Sequence, residues 1–285
     1  MIDFLKALAD PELLFLRYAV IVGLLSSIAL GIVGSYVVTR RITYIAAAIS
    51  HCVLGGIGAA VYLKERCGQS WCDPMYGAVV AALASALVIG LVSIHARQRE
   101  DTVISAVWAI GMAIGLLFLN LTPGYTDPMV YLAYGSIWFI SSHDVWMVMI
   151  MDALVVLLGV GFYPKLLAVC FDEEFARLRG VRAKLYYLLL LGLTALTVVL
   201  LVRIVGVLLV IALLTLPAAA AGHFTKRLWQ MMAVAVLFCM AFIGTGIVVS
   251  YHFERLPSGP VIIFIAGGTY FLILLGGRLF RWQKA

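Results

Sequence analysis

Charge is scarce in this sequence. Of its 285 residues only 12% are Asp, Glu, Lys or Arg, about half the share of an ordinary soluble domain, which excludes a normally solvated surface. Long basic runs are missing too. The net charge of +6 is spread over runs of no more than two or three residues, so it offers no surface for nucleic acid. The sequence contains no G-x-x-x-x-G-K-S/T loop, no G-x-S-x-G elbow, no H-E-x-x-H and no Gly-rich dinucleotide fingerprint. Nucleotide hydrolysis and protease or hydrolase chemistry by this chain alone are thereby excluded. Internal repeats, low-complexity segments and linkers are also absent, so one membrane domain over residues 1–285 is expected. What remains is apolar length. Hydrophobic residues make up 64% of the chain and the mean hydropathy is +1.10, which points to an all-α polytopic membrane bundle, since backbone in lipid must hydrogen-bond to itself.

Runs long enough to cross about 30 Å of hydrocarbon predict spans at Leu13 to Val38, Ile42 to Leu63, Met75 to Ile94 and Val103 to Leu119. A fifth is expected from Val145 to Phe171, a sixth from Leu185 to Val202 and a seventh from Arg203 to His223. The last two cover Met231 to Tyr251 and Val261 to Leu279. The apolar centre between the fourth and fifth, Pro128 to Ile140, is too short to cross and reads as an interfacial or re-entrant helix. With no cationic start and no small-residue cleavage site ahead of it, the first span is expected to act as its own targeting signal.

Lys and Arg set the orientation. If the loop holding Arg40 and Arg41 is cytoplasmic, 14 of the 20 basic residues lie inside and 6 outside. Nine crossings then run from an external N-terminus to a cytoplasmic C-terminus. Cys67 and Cys72 share the loop KERCGQSWCDP on the external side, where a disulfide can persist, although their spacing says nothing of its geometry. A metal site at that pair would need more ligands than the loop offers. Cys52, Cys170 and Cys239, in or beside spans, read as reduced packing residues.

Three features bear on chemistry. The first is His51, in RRITYIAAAISHCVLGGIGA, about 15 Å from one edge of its span and about 20 Å from the other. An ionisable side chain at that depth faces the bundle interior or a wet pathway, and neutral imidazole binds Zn²⁺, Mn²⁺ or Fe²⁺. Two readings stand: an ion ligand, with Cys52 beside it as a further candidate, or a histidine hydrogen-bonded between helices. Gly55, Gly56 and Gly58 on the same helix allow close packing or exposure of backbone to a pore. The second feature is FDEEFARLRG. Asp172, Glu173 and Glu174 suit a helix N-terminus, Arg177 and Arg179 follow, and Gly180 is a stop, so a short surface helix is predicted. The third is Asp152, a carboxylate deep in a span, about 12 Å below the outer edge and within about 5 Å of the depth of His51. It is either a second ligand or a group bonded to a neighbouring helix or water. His95, His143, His223, His252 and Glu254 fall near span ends and read first as interfacial residues, with His252 and Glu254 on the outer side.

AISHCVLGG, REDTVISAVWAIGMAIG, the stretch from DEEFARLRGVRAK through LLTLPAAAAGH, and the LPSGP turn together resemble the permease subunits of ABC importers for zinc, manganese or iron. The resemblance covers nearly the whole chain. It implies a type II importer-like bundle of about 8–9 spans in a bacterial cytoplasmic membrane, moving a divalent ion and holding no permanent cofactor. It also implies a second permease, identical or related, a cytoplasmic ATPase dimer and an extracytoplasmic metal-binding protein. Segment 172–184, with Phe175 among its residues, would correspond to the coupling helix seated in the ATPase. The family's metal motif reads D-A-I-S-H with Pro-Gly four residues after the His. Here the histidine falls on His51, the aspartate on Ala47 and the proline on Gly55. Loss of the carboxylate leaves a softer, less charged site, and Asp152 is the candidate to replace it. A secondary transporter driven by an ion gradient, with Asp152 and His51 as a proton relay, is the alternative.

Overall fold

The computed structural model describes residues 14–68, 72–95, 100–122, 142–253 and 256–282. Every regular element among them is an α-helix: α1 Leu14–Arg40, α2 Thr43–Cys67, α3 Pro74–His95, α4 Glu100–Leu121, α5 Ser142–Gly161, α6 Tyr163–Phe171, α7 Glu173–Leu178, α8 Ala183–Val205, α9 Val207–Gly222, α10 Leu228–His252 and α11 Ser258–Trp282. Seven of these, α1 to α4, α8, α10 and α11, are long and apolar enough to cross a membrane. The interfacial helix expected over Pro128 to Ile140 lies outside the described residues.

Two of the nine expected crossings need correction. The fifth is not one straight helix. It breaks at Phe162, and α5 and α6 meet at 70°. Gly161 precedes the break, and Pro164 sits in the first turn of α6, where its missing N–H is tolerated but the helix before it cannot continue through. The seventh is shorter than the 21 residues from Arg203 to His223. Arg203 to Val205 complete α8, and α9 has only 16 residues, about 24 Å at the α-helical rise, against about 30 Å of hydrocarbon. Gly206 makes the break, at φ 81° and ψ 163°, a conformation essentially restricted to glycine.

Interhelical contacts fix the direction of each run. Tyr36 donates to the Gly159 carbonyl at 2.8 Å, and Asp152 neighbours the Ala29 backbone; seven residues separate both pairs in the same sense, so α1 and α5 are parallel. The pairs Gly55–Gly111 and Gly58–Gly115 make α2 and α4 parallel as well, and Gly56 against Ala81 with Ala60 against Gly77 makes α3 antiparallel to α2. Gly31 against Val236 and Thr39 against Met231 set α10 antiparallel to α1. Cys239 against the Leu213 carbonyl and Gly222 against Met231 set α9 antiparallel to α10. All of these directions agree with the alternation that the Lys and Arg distribution predicts, and the short α9 makes its return inside the bundle.

Helices α1, α2 and α8 are central. They bury 72%, 78% and 72% of their most apolar windows, whereas α4 and α11 bury 17%. The outer helices turn Val80, Leu87, Ile110, Leu117, Leu157, Phe264 and Leu272 outward, as expected where lipid is the solvent. Small residues bring α2 within backbone contact of both neighbours. A Cβ at Gly55 would sit 2.7 Å from the Gly111 carbonyl and one at Gly58 2.6 Å from that of Gly115, and at Gly56 it would collide with Gly77. Lipid gives helices no hydrophobic drive to associate, so such packing contributes cohesion instead.

Candidate functional site

The ring of His51 is half-buried on α2. Its Nδ1 lies 2.9 Å from the Ala47 carbonyl, one turn back. A carbonyl only accepts, so Nδ1–H is the donor, and the lone pair of neutral imidazole resides on Nε2. This is the tautomer in which a histidine is ready to take an ion. Ser50 Oγ donates to the same carbonyl at 2.7 Å, so the backbone of Ala47 orients the ring at the position where the resembling family has a carboxylate. Trp108 of α4 lies tilted over the imidazole, with ring centroids 4.5 Å apart and planes at 35°. Tyr44, two turns before His51, lies 5.7 Å from the same indole and shares a 2.6 Å hydrogen bond with Ser105.

Trp108 and Tyr44 were not foreseen. The signal was the seven-residue spacing of Tyr44 and His51 on one helix face, but the parallel approach of α4 that supplies the indole is a tertiary fact.

Cys52, the next residue, also meets α4. Its thiol donates to the Val107 carbonyl at 3.2 Å, and it lines a cavity of about 370 Å³ between α2, α3 and α4 with Gly55, Ser85, Ile110 and Gly111. Its contacts are those of a packing residue. Asp152 is 5% exposed, and its Oδ1 has no hydrogen-bond partner. The other neighbour of its carboxyl is the Ala29 backbone on α1, and Ser26 Oγ on that helix is likewise buried without a partner. Helix α5 packs on α1 and α8, whereas α2 packs mainly on α3 and α4. Asp152 and His51 therefore face different neighbours. Among the described residues no three His, Cys, Asp or Glu side chains are grouped to hold a metal ion.

Of the remaining candidates, His95 closes α3 with its ring on the Leu91 carbonyl at 3.0 Å. His223 lies 6.2 Å from the Tyr270 ring, and His252 is exposed at the end of α10 beside Phe253. The side chain of His143 and residue Glu254 lie outside the described residues, as does the side chain of Cys67. Cys72 is a free thiol.

The segment FDEEFARLRG forms a six-residue helix, α7. Asp172 caps it by accepting from the Phe175 amide at 2.9 Å, which satisfies one of the first unpaired N–H groups. Gly180, at φ 76°, closes it: Gly180 N–H bonds to the Arg177 carbonyl at 3.0 Å and Val181 N–H to that of Ala176 at 3.0 Å, the paired bonds of a Schellman end. Ala176 is buried, while Phe171, Phe175 and Leu178 are 69%, 49% and 86% exposed. Arg179 lies over the Phe175 ring at 5.0 Å. Glu173 turns inward, pairing with Arg40 at 2.7 Å and with Arg177. Glu174 lies beside them in a polar cleft of about 450 Å³. An exposed apolar strip bounded by arginines at the polar end of the bundle is a surface suited to another protein rather than to lipid.

A central trio of helices, a broken span and a capped amphipathic turn between membrane helices together define a multi-pass α-helical membrane protein. The chain matches the ABC 3 transport family over residues 12–277, and it belongs to that family. A Chlamydia trachomatis protein named "Probable metal transport system membrane protein" is 36% identical over 281 residues, covering 99% of this chain and 94% of the relative. The manganese transport system membrane protein MntC of Listeria monocytogenes is 32% identical over 262 residues, covering 92% and 90%. In the solved structure of PsaBC from Streptococcus pneumoniae in complex with Fab, one chain superposes with a TM-score of 0.83 at 28% identity, covering 96% of this chain and 95% of that one.

Proposed function

We propose that this chain is the membrane-spanning permease of an ATP-driven importer of a divalent transition-metal ion in a bacterial cytoplasmic membrane. The observation that carries the reading is α7: a helix capped at both ends, apolar outward and arginine-rich, at the end of the bundle that holds Arg40 and Arg41. Closure of two ATPase subunits seated on α7 and on its counterpart in a second permease rocks the two permeases between outward and inward openings. An extracytoplasmic binding protein delivers the ion, and His51 holds it in transit through Nε2. The names of the relatives support a metal as cargo and, for MntC, manganese. The missing carboxylate at Ala47 favours a softer ion among Mn²⁺, Fe²⁺ and Zn²⁺.

The test is the reconstituted complex with its ATPase. ATP hydrolysis measured with each of the three ions, in wild type and in His51→Ala, should show stimulation by one ion that is lost in the variant. An unchanged ion response in His51→Ala would move the ion site elsewhere. Changing Arg177 and Arg179 to Ala should release the ATPase on purification, and retention would count against α7 as its seat. The second reading, a transporter driven by an ion gradient, draws on the unpartnered Oδ1 of Asp152 inside the bundle. Ion uptake by this chain alone in liposomes would establish it in place of the first.

A further inference from the structure

One carboxylate joins the short helix α7 to the end of the central helix α1. Glu173 gives one oxygen to each of two arginines: Oε2 accepts from Arg40 at 2.7 Å, and Oε1 accepts from Arg177, one turn along α7. The side chains of Arg40 and Glu173 are only 23% and 25% exposed, so solvent and salt screen the pair less than a surface pair. Arg40 also lies over the Tyr187 ring of α8 at 5.6 Å. Its guanidinium is thus held from two elements at once, ion-paired to α7 and set over a ring of α8.

Arg40 also stands at a closed corner. It is the last residue of α1, and Arg41 follows at φ 61°, a left-handed conformation that favours glycine. Arg41 N–H bonds to the Val38 carbonyl at 3.1 Å and Ile42 N–H to that of Val37 at 3.0 Å, so the turn has no slack. Helix α2 begins at Thr43, and His51 lies about 12 Å further along it. From α7 to the helix of His51, the chain of contacts runs through an ion pair and a hydrogen-bonded turn with no flexible segment between.

We propose that the Glu173–Arg40 pair is the strut that passes movement of the ATPase-docking helix to the α1–α2 corner and so to the ion-holding helix. Both are positioning residues. The proposal rests on α7 being the ATPase seat, and it assigns a role to Arg40, which lies on α1 outside that seat. A strut must be made of two groups that act as one, so each single change removes the whole of it.

The experiment uses the complete complex in proteoliposomes, with whichever of Mn²⁺, Fe²⁺ and Zn²⁺ stimulates wild-type ATP hydrolysis as the probe ion. It measures ion uptake, ATP hydrolysis and ATPase copurification for Arg40→Gln, Glu173→Gln, the double variant and Arg40→Lys. Uptake per ATP hydrolysed should fall about tenfold in either Gln variant, the size of an ordinary coupling between sites, and no further in the double variant. Arg40→Lys, which keeps the charge but not the planar fork, should lie between wild type and Arg40→Gln, and Arg40→Gln should still copurify with the ATPase. A wild-type uptake ratio in Arg40→Gln, losses that multiply in the double variant, or release of the ATPase by Arg40→Gln would each overturn the strut. A wild-type chain that binds no ATPase would overturn the functional reading itself, and the strut with it.

Discussion

At the scale of residues, the tautomer of His51 is set by a backbone carbonyl. With Nδ1–H committed to Ala47 at 2.9 Å, the ring presents Nε2 without needing the neighbouring carboxylate. The indole of Trp108 then limits how far the ring can swing, since the two ring centroids lie 4.5 Å apart with the planes inclined at 35°. Such a ring contact contributes about 0.5–1.5 kcal/mol. Trp108→Ala should therefore raise the ion concentration for half-maximal ATPase stimulation by about 2–10-fold. Trp108→Phe should lie between that value and wild type, and ATPase copurification should not change. Titration of ATP hydrolysis against ion checks this, and an unchanged midpoint in Trp108→Ala would deny the indole any part in the site.

The sequence exposed His51 because an ionisable group in an apolar run is costly and therefore conspicuous. It could not expose Trp108, an aromatic in an apolar run like many others here. Asp152 was as visible as His51, and it lies buried in the middle of α5. Depth says nothing of azimuth, however, and the carboxyl turns to α1 while His51 turns to α4.

At the scale of elements, two single residues decide where helices end, and they oppose each other in cost. Gly206 occupies a conformation that a side chain resists, and it alone separates α8 from α9. Arg41 occupies the left-handed turn position that glycine would fill with less strain. Gly206→Ala should thus lower unfolding stability by about 1–3 kcal/mol, and Arg41→Gly should raise it by about 1 kcal/mol. Thermal unfolding in detergent, read by the near-ultraviolet signal of the aromatic residues, distinguishes the two signs. A destabilised Arg41→Gly would mean that the arginine side chain does more at this corner than its strain takes away.

The helix ends were partly legible beforehand. Asp172 and Gly180 bracket α7 as predicted, because caps act locally and their signals lie within a few residues. Gly206 carried no such signal. It stands among valines and leucines, and the charge of Arg203, three residues earlier, set the expected boundary between the sixth and seventh spans at 202/203 rather than at 206.

At the scale of the whole molecule, the directions of the helices form one consistent set. Tyr36 to Gly159 and Gly55 to Gly111 make two parallel pairs, and the rest alternate around them. The outcome gathers Arg40, Arg41, α7 and the start of α8 at one end of the bundle, the end to which 14 of 20 basic residues were assigned. Leu178, 86% exposed on α7, reports on that end. Leu178→Cys in a background stripped of the native cysteines should react with a membrane-impermeant maleimide in inverted vesicles and not in intact cells, with labelling ratios of about tenfold or more if the loop is cytoplasmic. Addition of the ATPase should then protect it. Labelling from outside would invert the whole topology, because no single helix can reverse without the others.

What the sequence determined by itself was the solvent and the period. Scarce charge and long apolar runs require helices in lipid, because only they satisfy the backbone there, and the basic loops orient them. The capped helix at 172–180 and the histidine at 51 follow from local signals of the same kind. The tertiary structure alone decided which faces meet: α4 beside α2 so that Trp108 covers His51, α5 beside α1 so that Asp152 turns away from it, and α7 beneath α1 so that Glu173 finds Arg40. Those choices depend on glycines where backbones touch and on the rotation of each helix about its axis. An apolar pattern cannot specify that rotation when both lipid and core are apolar.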